Sequence, residues 1–140
     1  MNEISSDDLK LIRDYSKTWR LLLAYDEEQL EQPKSIHKAT SILDYHQTLS
    51  AIQKFKCELS SFNQSNDLFG NERDHGLQAI LGNIAQSFAD QPLYPTVEER
   101  AAHLLYFIIK DHPFSDGNKR IACLLFLMYL NLENYNHTIN

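Results

Sequence analysis

The sequence predicts an all-α fold, on three observations. Apolar residues recur at intervals of three and four in five segments, which is the spacing of a helix that buries one face. No segment shows the sustained alternation of apolar and polar residues that marks a half-buried strand. The stretch 121–128 is apolar almost all round, which is typical of a helix at the centre of a bundle. We therefore expect a helical bundle, with at most one short hairpin, near 68–70 or 92–95.

The five helical segments are separated by connections that are polar or contain proline. Ser5 or Ser6 suits the cap of the first helix, because the aspartates that follow favour its positive end. The residues from Ser60 to Asn66 form a loop by composition, and 67–76 is irregular. The expected helices run from the serine cap to about Ala24, from Thr40 to Leu59, from Leu77 to Phe88, from Val97 to Lys110, and from Asn118 to about Leu132.

The start of the fourth helix has the clearest local signal. Thr96 and Glu99 match the capping box, in which the threonine hydroxyl and the glutamate carboxylate satisfy free N–H groups of the first turn. Pro113 ends helical continuation just beyond Lys110. A polar loop therefore separates the two most apolar helices of the chain.

Composition sets limits on the class of protein. A chain of 140 residues with 43% hydrophobic and 23% charged residues suits one globular domain. We expect a helical lead-in over 1–66, a core over 67–132 and a polar tail over 133–140. A net charge of −6 is unfavourable for nucleic-acid binding as the main role. Cys57 and Cys123 are expected to be reduced, buried thiols, because they lie far apart and lack metal-ligand spacing.

Nothing in the sequence predicts export or a membrane span. The acidic start lacks the apolar stretch of a signal peptide. The longest apolar run, Ile121 to Leu130, is too short to cross a bilayer. We therefore expect a cytoplasmic protein without a membrane partner.

The polar loop ends in a cluster that suits an anion. A loop that leads into a helix presents free N–H groups and the positive end of the helix dipole. Gly117 lets the backbone approach a phosphate, and Asn118 is a good N-cap that can also donate to a phosphate oxygen. Lys119 and Arg120 add positive charge. Each of these residues has a common structural role by itself, as a turn, a cap or a solvated face, so it is their combination that favours a site.

Two further residues of the loop add chemistry to this cluster. Asp116 offers hard oxygen ligands that suit Mg²⁺ bridging phosphates. His112 carries an imidazole, the side chain most often used as a general base, and can accept a proton from an attacking hydroxyl. A base, a metal ligand and an anion site within nine residues predict phosphoryl or nucleotidyl transfer.

The segment His112 to Arg120, read H-P-F-S-D-G-N-K-R, resembles the motif of the Fic family, H-P-F-x-[D/E]-G-N-[G/K]-R. Lys119 in place of glycine resembles the Doc branch. The segment Arg73 to Leu77 resembles the R-D-x-G-L element of Doc-like proteins. Leu93–Tyr94–Pro95 and residues 98–102 resemble the L-Y-P…E-K-A-A segment that precedes the motif in those proteins. The stretches 69–72 and 93–130 look closest to the C-terminal Fic/Doc domain of RhuM-like virulence proteins of bacteria.

This resemblance implies an all-α Fic fold with ATP as co-substrate. It implies His112 as general base toward a Ser, Thr or Tyr hydroxyl of a target protein, and Asp116 on Mg²⁺. It implies phosphate contacts from Gly117, Asn118, Lys119 and Arg120. For Arg73, a phosphate contact and a structural role in the turn both stay open. The reaction so implied is transfer of AMP to the target protein.

The chain departs from the family pattern at two positions. Most AMP-transferring members have glycine at the position of Lys119 and a second arginine at the position of Cys123. Phosphate transfer of the Doc kind and a catalytically weak nucleotide-binding module are therefore the alternatives. No clean copy of the family's inhibitory helix is present, so we expect inhibition to come from an antitoxin-like partner or from outside this chain. The apolar last helix predicts a homodimer or a covering segment beyond it.

Overall fold

The computed structural model describes residues 37–135, and this part of the chain is mostly helical. Its helices are α1 (Tyr45–Ser60), α2 (Gly76–Ile84), α3 (Val97–Asp111) and α4 (Asn118–Leu132). Two short antiparallel strands, β1 (Ser87–Phe88) and β2 (Gln91–Pro92), connect α2 to α3. The predicted fold class is thus confirmed as mostly helical with one hairpin. The helix expected before Ala24 and most of the polar tail lie outside the described residues.

The core of the domain is built around α3 and α4. Helix α3 packs against both α2 and α4, and α4 buries residues on most of its circumference. Two phenylalanines from the connecting segments, Phe69 and Phe114, are also almost fully buried. The largest fully buried apolar side chains are Phe69, Phe114, Leu77, Leu105, Ile108, Ile121 and Leu125. Within residues 37–135, no helix is long and apolar enough to cross a bilayer.

Helix α3 begins where its capping box predicts. The backbone N–H of Glu99 donates to the hydroxyl of Thr96 at 3.1 Å, and that hydroxyl donates to the Glu99 carboxylate at 3.1 Å. The helix continues to Asp111, one residue beyond the expected end, and closes on His112 in the left-handed conformation. Loss of such a cap typically costs about 1 kcal/mol of stability.

The expected start of α1 is wrong by five residues, since the helix begins at Tyr45 and not at Thr40. Asp44 is the actual N-cap, and its carboxylate accepts the N–H of Gln47 at 2.8 Å. The N–H groups of Thr40 and Ser41 donate instead to the Glu133 carboxylate at the end of α4. A partner more than ninety residues away in the chain therefore holds this segment outside the helix.

The expected end of α2 is also wrong, because the helix stops at Ile84 and Phe88 belongs to β1. Ala89 and Asp90 have φ of +50° and +63°, which form the turn between β1 and β2. Two successive left-handed residues match the right-handed twist of the strands that they join. The hairpin therefore occupies 87–92, so the expected position near 68–70 is wrong and the one near 92–95 is overlapped only at Pro92.

Candidate functional site

The loop between α3 and α4, residues 112–117, is here called the motif loop. Together with the first turn of α4 it holds all six residues that the sequence analysis places in the site. His112 and Lys119 are exposed, Asp116, Gly117 and Arg120 are half-buried, and Asn118 is buried. The loop thus presents an imidazole at one end and a helix N-terminus at the other.

Burial of two residues anchors the motif loop to the core. Phe114 is only 1% exposed, and Pro113 is buried. Gly76, at the start of α2, lies so close to Pro113 that an added Cβ would be 2.9 Å from the Pro113 Cβ. The loop therefore cannot shift toward α2 without displacing packed atoms.

Asn118 closes the motif loop on itself. Its Oδ1 accepts the backbone N–H of Phe114 at 2.9 Å, and its Nδ2 donates to the Phe114 carbonyl at 2.8 Å. The predicted N-cap role is wrong, because Gly117 is the N-cap and Asn118 is the first residue of α4. A phosphate contact of Asn118 stays a prediction, and its backbone N–H at the start of α4 is a donor suited to such a contact.

Gly117 is required by the packing and by the backbone. Its φ is +83°, and an added Cβ would lie 2.3 Å from Cε2 of Phe69. The first hydrogen bond of α4 runs from the N–H of Ile121 to the Gly117 carbonyl at 2.8 Å. The N–H groups of Asn118 and Arg120 precede this bond, so they belong to the helix end that attracts anions.

Residues 64–73 belong to the connection between α1 and α2, lie along the motif loop and are here called the bracing segment. Isolated bridges pair Phe69 with Asp116 and Glu72 with Phe114. Three main-chain hydrogen bonds join the two segments, from Ser115 N to Asn71 O (2.8 Å), from Gly70 N to Asp116 O (3.1 Å) and from Arg73 N to Pro113 O (2.8 Å). The bracing segment therefore fixes the main chain of the motif loop over most of its length.

Side-chain contacts from the bracing segment also hold two predicted site residues. The amide of Asn66 donates to Oδ2 of Asp116 at 3.2 Å. The Arg120 guanidinium donates to the carbonyl of Gln64 at 2.6 Å and stacks over the Phe69 ring, 4.7 Å from its centroid. Composition identified 60–66 only as a loop, so the sequence analysis missed Gln64 and Asn66, and no local pattern marks them.

His112 has a left-handed backbone, with φ of +51°, and two hydrogen bonds hold it. Its backbone N–H donates to the Ile108 carbonyl at 3.1 Å, and its own carbonyl accepts a hydrogen bond from the Arg73 guanidinium. A left-handed backbone costs a non-glycine residue about 1–2 kcal/mol, so these contacts offset a real strain. The imidazole itself is exposed, which leaves it accessible to a macromolecular target.

A metal ion would find one carboxylate in this loop, that of Asp116. Within residues 37–135, no group of three or more His, Cys, Asp or Glu residues could hold a metal ion. A caged structural metal therefore does not fit. A Mg²⁺ ion that takes most of its ligands from phosphate oxygens and water does fit, because such ions bind through one or two carboxylates.

The two cysteines differ in environment. Cys57 is exposed, so the expectation that both thiols are buried is wrong for it. Cys123 is 2% exposed, and burial raises the pKa of its thiol to about 12. This side chain is therefore a protonated core residue at the position where the resemblance places a second arginine.

Comparison with known proteins supports one assignment. The model of the Fic/DOC family matches residues 36–130. No curated protein and no solved structure matches the chain. Because the family model covers more than half of the sequence, the chain belongs to the Fic/DOC family.

Proposed function

We propose that this member of the Fic/DOC family transfers AMP from ATP to a hydroxyl of a target protein. The observation that supports this most is the arrangement of one braced loop. The exposed imidazole of His112 lies at one end, the N-terminus of α4 lies at the other, and the Asp116 carboxylate lies between them. A general base beside an anion-binding helix end is what transfer from a nucleoside triphosphate to a hydroxyl requires.

His112 is the general base in this proposal. Its imidazole accepts the proton of a Ser, Thr or Tyr hydroxyl as the hydroxyl oxygen attacks the α-phosphorus of ATP. The bond between that phosphorus and the oxygen bridging to the β-phosphate breaks, and pyrophosphate leaves. Because the imidazole is exposed and stands at the end of α3, a side chain of another protein can reach it.

The start of α4 binds the phosphates. The N–H groups of residues 117–120 supply donors, and the helix dipole favours the anion. Lys119 is exposed and contributes a positive charge. Arg120 has one guanidinium N–H bonded to the Gln64 carbonyl, and a guanidinium has five such donors, so others can contact phosphate from a fixed position.

Asp116 would hold Mg²⁺ in the complex with ATP. When bound, the ion supplies positive charge that neutralises the phosphate oxygens. The hydrogen bond from Asn66 orients one oxygen of the Asp116 carboxylate, which favours a single ligand geometry.

Transfer of the γ-phosphate is the second candidate, and two residues favour it. Lys119 stands where AMP-transferring relatives have glycine, and Cys123 stands where they have a second arginine. Since Cys123 is a buried, neutral side chain, this position supplies no positive charge to the phosphates, and a reversed orientation of the triphosphate is the consequence to test. Within the family, we place the chain near the C-terminal Fic/Doc domains of RhuM-like proteins. The resemblance of residues 69–72 and 93–130 to those domains supports this part of the proposal.

Two parallel reactions separate these candidates. The protein is incubated with Mg²⁺ and a bacterial cytosolic extract, and ATP carries the label at its α-phosphate in one reaction and at its γ-phosphate in the other. Labelled protein from α-labelled ATP alone supports AMP transfer, and labelled protein from γ-labelled ATP alone supports phosphate transfer. If neither label is transferred, calorimetry with ATP and Mg²⁺ decides between a binding module, which releases heat, and a site without nucleotide chemistry, which does not.

The proposal includes partners. The target is a bacterial or host protein with a reachable hydroxyl, and control comes from a separate antitoxin-like partner or from a region outside this chain. Co-expression of a candidate inhibitor, followed by the label-transfer assay, tests this: an inhibitor of the expected kind abolishes transfer without lowering the amount of folded protein.

A further inference from the structure

Arg73 contacts the motif loop at two consecutive carbonyl groups. Its guanidinium donates to the carbonyl of His112, and its backbone N–H donates to the carbonyl of Pro113 at 2.8 Å. A charged donor forms a stronger hydrogen bond than a neutral one, so the guanidinium contact is the firmer of the two. One residue thus holds two successive peptide groups directly after the proposed base.

The turn that carries Arg73 is itself fixed on the motif loop. Asp74 and His75 have φ of +51° and +55°, and the N–H of Gly76 closes the turn on the Arg73 carbonyl at 2.8 Å. At the far end of the turn, Gly76 packs against Pro113 with no room for a Cβ. Arg73 therefore reaches the motif loop from a short turn whose position is itself fixed.

The backbone of His112 determines where its imidazole points. The residue is left-handed, with φ of +51° and ψ of +61°, and it is followed by a proline that restricts it further. The direction of the Cα–Cβ bond follows from this backbone conformation. A donor that fixes the His112 carbonyl therefore also fixes the direction in which the side chain leaves the backbone. It does so without contacting the imidazole ring.

We propose that Arg73 is a positioning residue that holds the His112 backbone in the left-handed conformation and thereby aims the imidazole at the target hydroxyl. That the imidazole points at a target hydroxyl rests on the proposed function. That Arg73 holds the His112 backbone does not. The alternative role, a direct phosphate contact, differs in its consequence: loss of a phosphate ligand weakens ATP binding, but loss of a positioning contact slows the chemical step.

The kinetic test compares Arg73→Ala and Arg73→Lys with a matched control, Lys56→Ala. Lys56 also donates to a backbone carbonyl, that of Asp67 in the bracing segment at 2.9 Å, but this hydrogen bond does not involve the motif loop. At saturating ATP, Arg73→Ala should transfer label about 10- to 100-fold more slowly, because small misplacements of a base have effects of this size. Arg73→Lys should recover part of the rate, Lys56→Ala should match the wild type, and the half-saturating ATP concentration should stay unchanged in all three.

A rise in the half-saturating ATP concentration in Arg73→Ala, or a wild-type rate in that variant, would overturn the proposal. Circular dichroism checks that each variant folds, and if Arg73→Ala does not fold, a reduced rate in Arg73→Lys at unchanged ATP dependence carries the same test.

A second readout needs no enzymatic activity. In proteins labelled with ¹⁵N-histidine, the backbone amide and ring signals of His112 should shift or broaden in Arg73→Ala and should stay in place in Lys56→Ala. Unchanged His112 signals in Arg73→Ala would overturn the positioning role. If the wild type transfers no label at all, the proposed function fails, and these spectra still decide whether Arg73 holds His112.

Discussion

The motif loop and the β1–β2 hairpin are both short connections next to α3, and they are built in opposite ways. Phe114 in the motif loop is 1% exposed, whereas Phe88 in the hairpin is 83% exposed. The loop is bonded to the bracing segment along most of its length, and the hairpin is a pairing of two residues with two residues. Every residue of 87–92 is exposed.

The two connections differ in how many contacts hold their strained backbone positions. The motif loop contains positions of restricted conformation, at His112 and Gly117, and the surrounding contacts hold them there. The hairpin has positive φ at Ala89 and Asp90 as well, but within residues 37–135 its hydrogen bonds come from its own short ladder and the flanking pair Leu93 and Gln86. A site that must place a base and an anion-binding helix end accurately needs the first kind of construction.

The largest effect is expected when the anchor of the motif loop is removed. Phe114→Ala should lower the free energy of unfolding by about 3–5 kcal/mol, because it leaves a cavity in the core. Phe88→Ala, the matched control in the hairpin, should change it by less than about 0.5 kcal/mol. Urea denaturation measures both values. Similar losses in the two variants would contradict the contrast between the regions.

The next effect concerns the glycine at the start of α4. Gly117→Ala should destabilise the protein by more than about 2 kcal/mol, since it adds a left-handed alanine and a clash with Phe69. Gly82→Ala is the control, because Gly82 lies in α2 and an added Cβ there meets nothing within 4 Å. The control should stabilise the protein by about 0.4–1 kcal/mol. A neutral Gly117→Ala in thermal or urea unfolding would show that the loop is less constrained than its geometry indicates.

The closure of the motif loop by Asn118 gives a smaller expected loss. Asn118→Ala should cost about 1–3 kcal/mol, because the N–H of Phe114 then lacks its partner in a buried site. Asn118→Asp should also destabilise, since it keeps the acceptor for that N–H but turns a carboxylate oxygen toward the Phe114 carbonyl. Asn131→Ala, at an exposed position of α4, serves as the control in the same unfolding series. Equal stability of Asn118→Asp and the wild type would contradict the assignment of the amide.

The smallest effect is expected at Glu133, which contacts neither region. Although burial alone would raise the pKa of this carboxyl, hydrogen bonds from Tyr129 and Thr40 lower it below its usual value. A group with a lowered pKa in the folded state stabilises the protein above its unfolded pKa. That contribution is lost as the pH falls through the lowered value. Unfolding measured from pH 7 to pH 3 should therefore show a steeper loss in the wild type than in Glu133→Gln, and parallel curves would contradict this.

Local sequence signals predicted the helices that frame the site. The capping box at Thr96 and the proline at 113 mark the two ends of α3, and the continuous apolar run marks α4. These signals act within a few residues, so a single sequence contains them. The same holds for the motif, because its residue types by themselves indicate a base, a metal ligand and an anion site.

Long-range contacts explain what the sequence did not predict. The start of α1 depends on Glu133 binding Thr40, and the conformation of His112 depends on Arg73, thirty-nine residues earlier. Asn118 is a common N-cap by type, and only the fold shows that its amide is bonded to Phe114. The turn at 89–90 uses alanine and aspartate, which carry a weaker hairpin signal than Asn-Gly.

The role of His112 as base is the centre of this account, and one comparison tests it most directly. Wild type, His112→Ala and His46→Ala are incubated with α-labelled ATP, Mg²⁺ and bacterial cytosolic extract, where His46 is an exposed histidine on α1 outside the motif loop. The account predicts labelled target with the wild type and with His46→Ala, and a loss of label of at least about 100-fold with His112→Ala. Equal labelling by His112→Ala and the wild type would contradict it.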